Sequence, residues 1–240
     1  MRIYIGFDDT DTIDSDRGTG KLARWFENEL RQGYRLWGVV RQQLLLDPLI
    51  PYTTHNSSAC AIVDTGNGFS LDELISKAVH HVERHFIPGS DPGLCVAHEG
   101  HPSLPSLILF GRTCARTIVT QKDALEVASG VHLSGHGGTN DGMIGAAAAV
   151  GLTAYGWSGR LIEFGRLRDF PQNVSMADLE KSGMIVVSID RDGQVPSSEG
   201  IVDTKGWLRP RFWGGKAVLP VNSKGDHLWE TLWEKRGKKL

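Results

Sequence analysis

The chain has 240 residues, 40% of them hydrophobic, enough for one large domain or two small ones with real cores. Its 26 basic residues nearly balance 28 acidic ones, leaving a net charge of −2. That balance excludes both a global basic field for nucleic acid and an acid-driven disordered chain, so function has to sit in a local site.

Residues 2–7 read as a short buried strand that runs straight into Asp8-Asp9-Thr10-Asp11. Residues 18–30 are predicted to form an amphipathic helix, with Leu22, Phe26 and Leu30 at helical spacing. A strand follows over 36–46, then a loop over 48–58 punctuated by Pro48 and Pro51. After a strand at 59–64 and a turn at Gly66-Asn67-Gly68, Ser70 is placed to cap a helix over 71–86, with Glu73 three residues on. The break at 88–93 leads to a strand at 93–98 and helices at 104–117 and 121–129. A glycine-rich run, 134–142, opens an alanine-rich helix at 143–150. Further strands are expected near 159–164, 184–190 and 216–221. The tail, 226–240, reads as a basic amphipathic helix, its aromatic residues Trp229 and Trp233 beside Lys235, Arg236, Lys238 and Lys239.

Helices and strands alternate here without a regular βαβ rhythm, which indicates an α+β fold. The domain boundary is expected between Val119 and Leu133 and is drawn at 125/126. Cys60, Cys95 and Cys114 form no CxxC pair and suit a reducing compartment. The first residues lack a signal-peptide layout, and the longest apolar stretch, around 142–152, is too short to span a bilayer. The expectation is a cytoplasmic chain with no membrane partner.

Asp8, Asp9 and Asp11 carry the sharpest chemistry. Three carboxylates crowded at a strand end repel one another, and a divalent cation relieves them. Mg²⁺ favours carboxylates together with substrate phosphates, which suits phosphoryl transfer. The competing reading is a turn capped by Asp and Thr side chains. Asp9-Thr10-Asp11 also fits the Asp-x-Asp of aspartyl-phosphate phosphotransferases, yet the second acidic pair of that class is missing.

Gly18-Thr19-Gly20-Lys21 looks like a P-loop fragment but fails Walker A twice, at Ser15 and Leu22; its helix entry still suits an anion. The run from Gly135 to Gly142 is not a dinucleotide-binding fingerprint, since Asn140 stands where the last glycine belongs. It permits close backbone approach to a ligand, or serves as a flexible connector. His55, in the hydroxyl-rich loop with Thr54, either contacts phosphate or caps a strand. His81 and His85, four apart, lack the zinc-protease order and read as a solvated helix face.

In order along the chain, these pieces resemble the ATP-dependent synthetases that join agmatine to the wobble cytidine of an isoleucine tRNA (the TiaS family). The similar blocks are Ile5 through Asp11, Gly18 through Ala23, Leu46 through Thr54, Asp91-Pro92-Gly93, and Gly142 through Gly151. The resemblance implies a kinase-like α/β domain over 1–125 and a ferredoxin-like domain with an amine pocket over 126–240. It implies ATP and Mg²⁺ as cofactors, AMP and pyrophosphate as products, and phosphorylation of an acceptor oxygen that an amine then attacks. By that resemblance Asp8, Asp9 and Asp11 hold metal and triphosphate, and Thr19 falls on the autophosphorylated threonine. Gly6, Thr10, Gly18, Gly20, Lys21, Thr54 and His55 are the remaining nucleotide contacts.

The ATP end matches the family better than the acceptor end. Thr53 and His55 replace a lysine and an arginine, Asp141 replaces another arginine, and Phe170-Pro171-Gln172-Asn173 stands near the place of a Trp-Gly-Thr-x-Arg stretch. No counterpart of the family's RNA-gripping OB-fold and zinc ribbon is expected. The expected partner is therefore a small amine or other acceptor, or an RNA brought by another chain; a non-catalytic nucleotide sensor is the alternative.

Overall fold

A computed structural model of the protein describes residues 1–53, 55–66, 68–189 and 196–232. In chain order it runs β1 (Arg2–Asp8), α1 (Thr19–Trp25), a 3₁₀ turn (Phe26–Glu29), β2 (Tyr34–Gln43), β3 (Ser57–Thr65), α2 (Leu71–His85) and β4 (Gly93–His98). Next come α3 (Leu104–Cys114), α4 (Gln121–Val127), β5 (His132–Gly135) and α5 (Gly142–Tyr155). The rest comprises β6 (Arg160–Glu163), β7 (Asn173–Ser175), α6 (Met176–Lys181), β8 (Ile185–Ser188), β9 (Ile201–Asp203), β10 (Arg211–Trp213), β11 (Lys216–Gly225) and β12 (Leu228–Thr231).

These strands form one mixed sheet in the order β5-β4-β1-β3-β2-β6-β10-β11-β12-β9-β7, with β8 pairing parallel to β11. The fold is thus a mixed α+β one, as the irregular rhythm of elements predicts. β1 lies between β3 and β4, antiparallel to both. Successive strand residues point to opposite faces, and both faces of β1 are covered. Ile3, Ile5 and Phe7 enter a core with Leu22 and Phe26 of the α1 segment and Leu74, Ala78 and Val82 of α2. Tyr4 enters the opposite core, with the α5 alanines and with Leu107 and Phe110 of α3. Each large side chain buried this way contributes roughly 1.5–3 kcal/mol.

α5 lies close on the sheet because its sequence is nearly all Ala and Gly. A Cβ on Gly6 would overlap the Ala146 carbonyl, and one on Gly93 would overlap the Gly142 backbone. A Cβ on Gly111 would come within 2.8 Å of the Ala148 carbonyl, so α3 crosses α5 just as tightly. Gly156, at φ 75°, ends α5 with a left-handed cap.

Ser70 caps α2 as predicted, its hydroxyl accepting from the Glu73 N–H at 3.2 Å. Elsewhere the structure differs from the expectation. Part of the expected tail helix is strand: Trp229 and Thr231 turn inward while Leu228 is exposed, a two-residue period. The glycine-rich run begins as β5, hydrogen-bonded to β4 at the sheet edge. His81, expected on a solvated face, is completely buried. Thr54, Asn67 and the basic tail from Trp233 onward lie outside the described residues. Among the described residues no helix is long and apolar enough to cross a membrane.

Candidate functional site

Strand register gathers the predicted segments at one end of the sheet. Asp8 is opposite Gly93, Gly93 is opposite Gly135, and Phe7 is opposite Ala59. The acidic loop, the loop before β3, the turn before β4 and the glycine-rich run therefore all leave β1's carboxyl end together. Loops presented by a rigid sheet in this way are where chemistry is commonly placed.

Asp8 points toward α5. A Cβ on Gly145 would overlap its Oδ2, so the carboxyl occupies space that only a glycine leaves open. Burial pushes its pKa up to about 8, and the neighbouring charge of Asp9 adds to the shift; a backbone hydrogen bond from Asp9 opposes it. Asp9 takes a left-handed conformation, φ 47°, which turns the chain off the strand. Its carboxyl is pushed up to about 6, first by desolvation and then by the charges of Asp91, Asp11 and Asp141. Five carboxylates thus sense one another here.

Asp11 turns the other way, toward α1. Its Oδ1 accepts from the Thr19 N–H at 2.9 Å and the Thr19 hydroxyl at 3.1 Å. Gly18, the residue before α1, offers no side-chain cap, so Asp11 supplies one from seven residues upstream. Buried Thr10 closes the cluster: its N–H and its hydroxyl both donate to Thr19 Oγ1, at 3.2 and 3.1 Å.

The other predicted nucleotide contacts scatter. Gly6 is inside β1 against α5, and a Cβ on Gly20 would come within 2.9 Å of Ile162 Cδ1 in β6. The Lys21 ammonium lies 5.2 Å from the Trp25 ring. His55 is exposed on the loop before β3.

Asp91 was named in the sequence only within a short motif, yet it organises the site. Its N–H donates to the Asp9 carbonyl at 3.1 Å. Its carboxylate accepts from the Thr139 N–H at 3.0 Å, the Thr139 hydroxyl at 2.5 Å and the Asn140 N–H at 2.6 Å. Asn140 is itself left-handed, φ 67°. Gly138, φ 59°, leaves room for this carboxylate, since a Cβ there would lie 2.8 Å from Asp91 Cγ. The close backbone approach expected of the glycine-rich run is spent on Asp91. Asp141 joins the network through Thr139 and Gln121.

Oxygen-only donors of this kind fit Mg²⁺, which takes one or two carboxylates plus phosphate oxygens. A cavity of about 430 Å³ lies elsewhere, lined by Phe170, Val174, Asp178 and Lys181 among others and by none of the acidic-loop residues.

Solved structures share this fold in part. The chain is similar to a tRNA fluorescent labeling enzyme, at 25% identity and TM-score 0.54 over 63% of this chain and 36% of that one. It is similar to TiaS in a complex with an isoleucine tRNA, AMPCPP and agmatine, at 26% identity and TM-score 0.50, with the same shares covered. TiaS in a complex with that tRNA and ATP matches at 24% identity and TM-score 0.53, again over 63% and 36%. The chain folds like part of TiaS, an isoleucine-tRNA agmatidine synthetase. It spans about a third of the length of these structures' chains. No family model matches the sequence, and no curated protein matches it.

Proposed function

We propose that the chain is an ATP- and magnesium-dependent phosphotransferase or amine ligase, which activates an acceptor oxygen by phosphorylation before an amine displaces the phosphate. The observation that carries this reading is the meeting of Asp8, Asp9, Asp11, Asp91 and Asp141 at one sheet end, with two of these carboxyls held far above their ordinary range. Such a cluster is stable when a divalent cation neutralises it and links it to a nucleotide's phosphate oxygens.

Asp8 and Asp9 would hold the metal, which supplies charge neutralisation for the phosphates. Both carboxyls surrender their protons as they take up this role. Asp11 is placed to accept the Thr19 hydroxyl proton if that oxygen attacks the terminal phosphoryl group of ATP, whose bond to the rest of the nucleotide breaks as that part leaves. Thr10 orients the same oxygen through its N–H and hydroxyl. Gly18, Gly20, Lys21, Thr54 and His55 complete the nucleotide contacts in this proposal. We divide the chain into a kinase-like part, 1–125, and a ferredoxin-like acceptor part, 126–240. The acceptor is a small molecule or an RNA brought by a partner.

A nucleotide sensor without turnover is the second reading. It is favoured by the enclosure of the Thr19 hydroxyl between Thr10 and Asp11, which leaves Thr19 only 7% exposed. Product analysis of purified protein with ATP and Mg²⁺ separates the two. AMP release that Asp9→Asn abolishes supports the enzyme; binding without AMP or ADP release supports the sensor. AMP release unaffected by Asp9→Asn removes the acidic loop from the reaction.

A further inference from the structure

On the face of the sheet opposite α5, three metal-ligand side chains converge. His81 and His85 lie one turn apart on α2, and Glu29 ends the 3₁₀ turn after α1. One ligand atom from each lies within 4.8 Å of the others, and they are the one such group of three His, Cys, Asp or Glu side chains among the described residues.

Hydrogen bonding assigns one ring nitrogen of His81. Its Nε2 lies 3.0 Å from the Leu22 carbonyl. A carbonyl only accepts, so Nε2 carries a proton, and in the neutral ring Nδ1 is then a bare lone pair. That nitrogen faces Glu29 Oε1 at 3.5 Å, at ion-pair distance but without a hydrogen bond. Two acceptors thus face each other around a side chain that is 1% exposed. A proton or a cation has to stand between them. Burial disfavours the protonated ring and pushes the pKa of His81 down, and His85 is lowered by burial and by the charge of His81. Glu29 and the Leu22 carbonyl oppose the shift at His81, and Glu29 opposes it at His85, where Arg84 and Arg17 lower it further; burial outweighs them in both rings.

Two features of the geometry match a metal site. A metal-bound histidine ordinarily donates its other ring N–H to a backbone carbonyl or carboxylate, as His81 does to Leu22. Tetrahedral zinc with bonds of about 2.0–2.1 Å separates neighbouring ligand atoms by about 3.3 Å. The observed gap of 3.5 Å between Nδ1 and Oε1 is close to that. The His81 and His85 rings lie 4.7 Å apart by centroid, and Phe7 and Phe26 wall the buried side.

We propose that Glu29, His81 and His85 bind a divalent transition-metal ion, with zinc the best fit, at a site separate from the acidic loop. Two imidazoles and a carboxylate suit zinc or cobalt rather than magnesium. Three protein ligands leave one coordination position for water, entering past the partly exposed Glu29 and His85. The ion clips the 3₁₀ turn to α2, beneath the helix that presents Thr19.

The test is zinc titration of the chelator-treated full chain, against a chromophoric competitor and in excess Mg²⁺. One equivalent of zinc is expected, with a rise in Tm, and Co²⁺ in its place should give the visible absorption of a four-coordinate N/O site. Glu29→Gln and His85→Ala, both at partly exposed positions, should each weaken uptake tenfold or more and abolish the Tm rise. Failure of the folded wild-type chain to take up zinc or cobalt overturns the proposal. So does uptake that both variants leave unchanged.

Discussion

The Asp8 carboxylate fills the space where a side chain at Gly145 would stand: a Cβ built on Gly145 overlaps Asp8 Oδ2 and lies 3.0 Å from Asp8 Cβ. Strand β1 and helix α5 meet so closely here that the acid at the strand end is walled by helix backbone. Gly145→Ala therefore has to expel the carboxyl or push the helix away. A loss of roughly 1–3 kcal/mol is expected from this overpacking. Chemical denaturation checks it, and Asp8→Ala in the Gly145→Ala background should recover part of the loss. Purely additive effects would mean that the two residues do not compete for space.

The raised acids set a pH dependence. In the folded chain Asp8 holds its proton up to about pH 8, whereas the unfolded chain releases it near 3.8. Asp9 behaves likewise up to about 6. The folded state binds more protons across these windows, so their contribution to stability falls as pH rises through them. Metal-free melts should show Asp8→Asn flattening the decline between about pH 6 and 8. Added Mg²⁺ should raise Tm more at pH 8 than at pH 6, because ionised carboxylates bind it.

Asp91→Ala removes the acceptor for the Thr139 and Asn140 N–H groups. A loss of about 1 kcal/mol is expected, because Thr139 is exposed and water can replace the acceptor there. Amide hydrogen exchange should rise at Thr139 and Asn140, with α2 unaffected.

Asp11→Ala takes away the carboxylate that receives the first N–H of α1. A cost of about 1 kcal/mol is typical for a lost cap. It should appear in denaturant melts, together with faster exchange at the Thr19 N–H.

Much of the frame was legible in the sequence, for physical reasons. β1 is a run of apolar residues ending in acids, and Ser70 with Glu73 marks a helix start unambiguously. The residues of β7, β9 and β10 number three each, too few to show a period. β12 was hidden because Trp229 and Trp233, four apart beside lysines, imitate a helix face, whereas burial follows Trp229 and Thr231. Asp91 and Asp141 were hidden for another reason. They join Asp9 only through pairing of β1 with β4 and β4 with β5, which links residues more than eighty positions apart. Likewise, spacing alone suggested that His81 faces solvent, and only the packing of Phe7 and Phe26 against its ring reveals it as buried.

The most direct measurement is calorimetric titration of the folded chain with ATP, with and without Mg²⁺, in wild type and in Asp9→Asn. Saturable binding that needs Mg²⁺ is expected, at least tenfold weaker in the variant, with the variant's circular dichroism unchanged. Equal affinity in both proteins, or no binding by wild type in Mg²⁺, would contradict it.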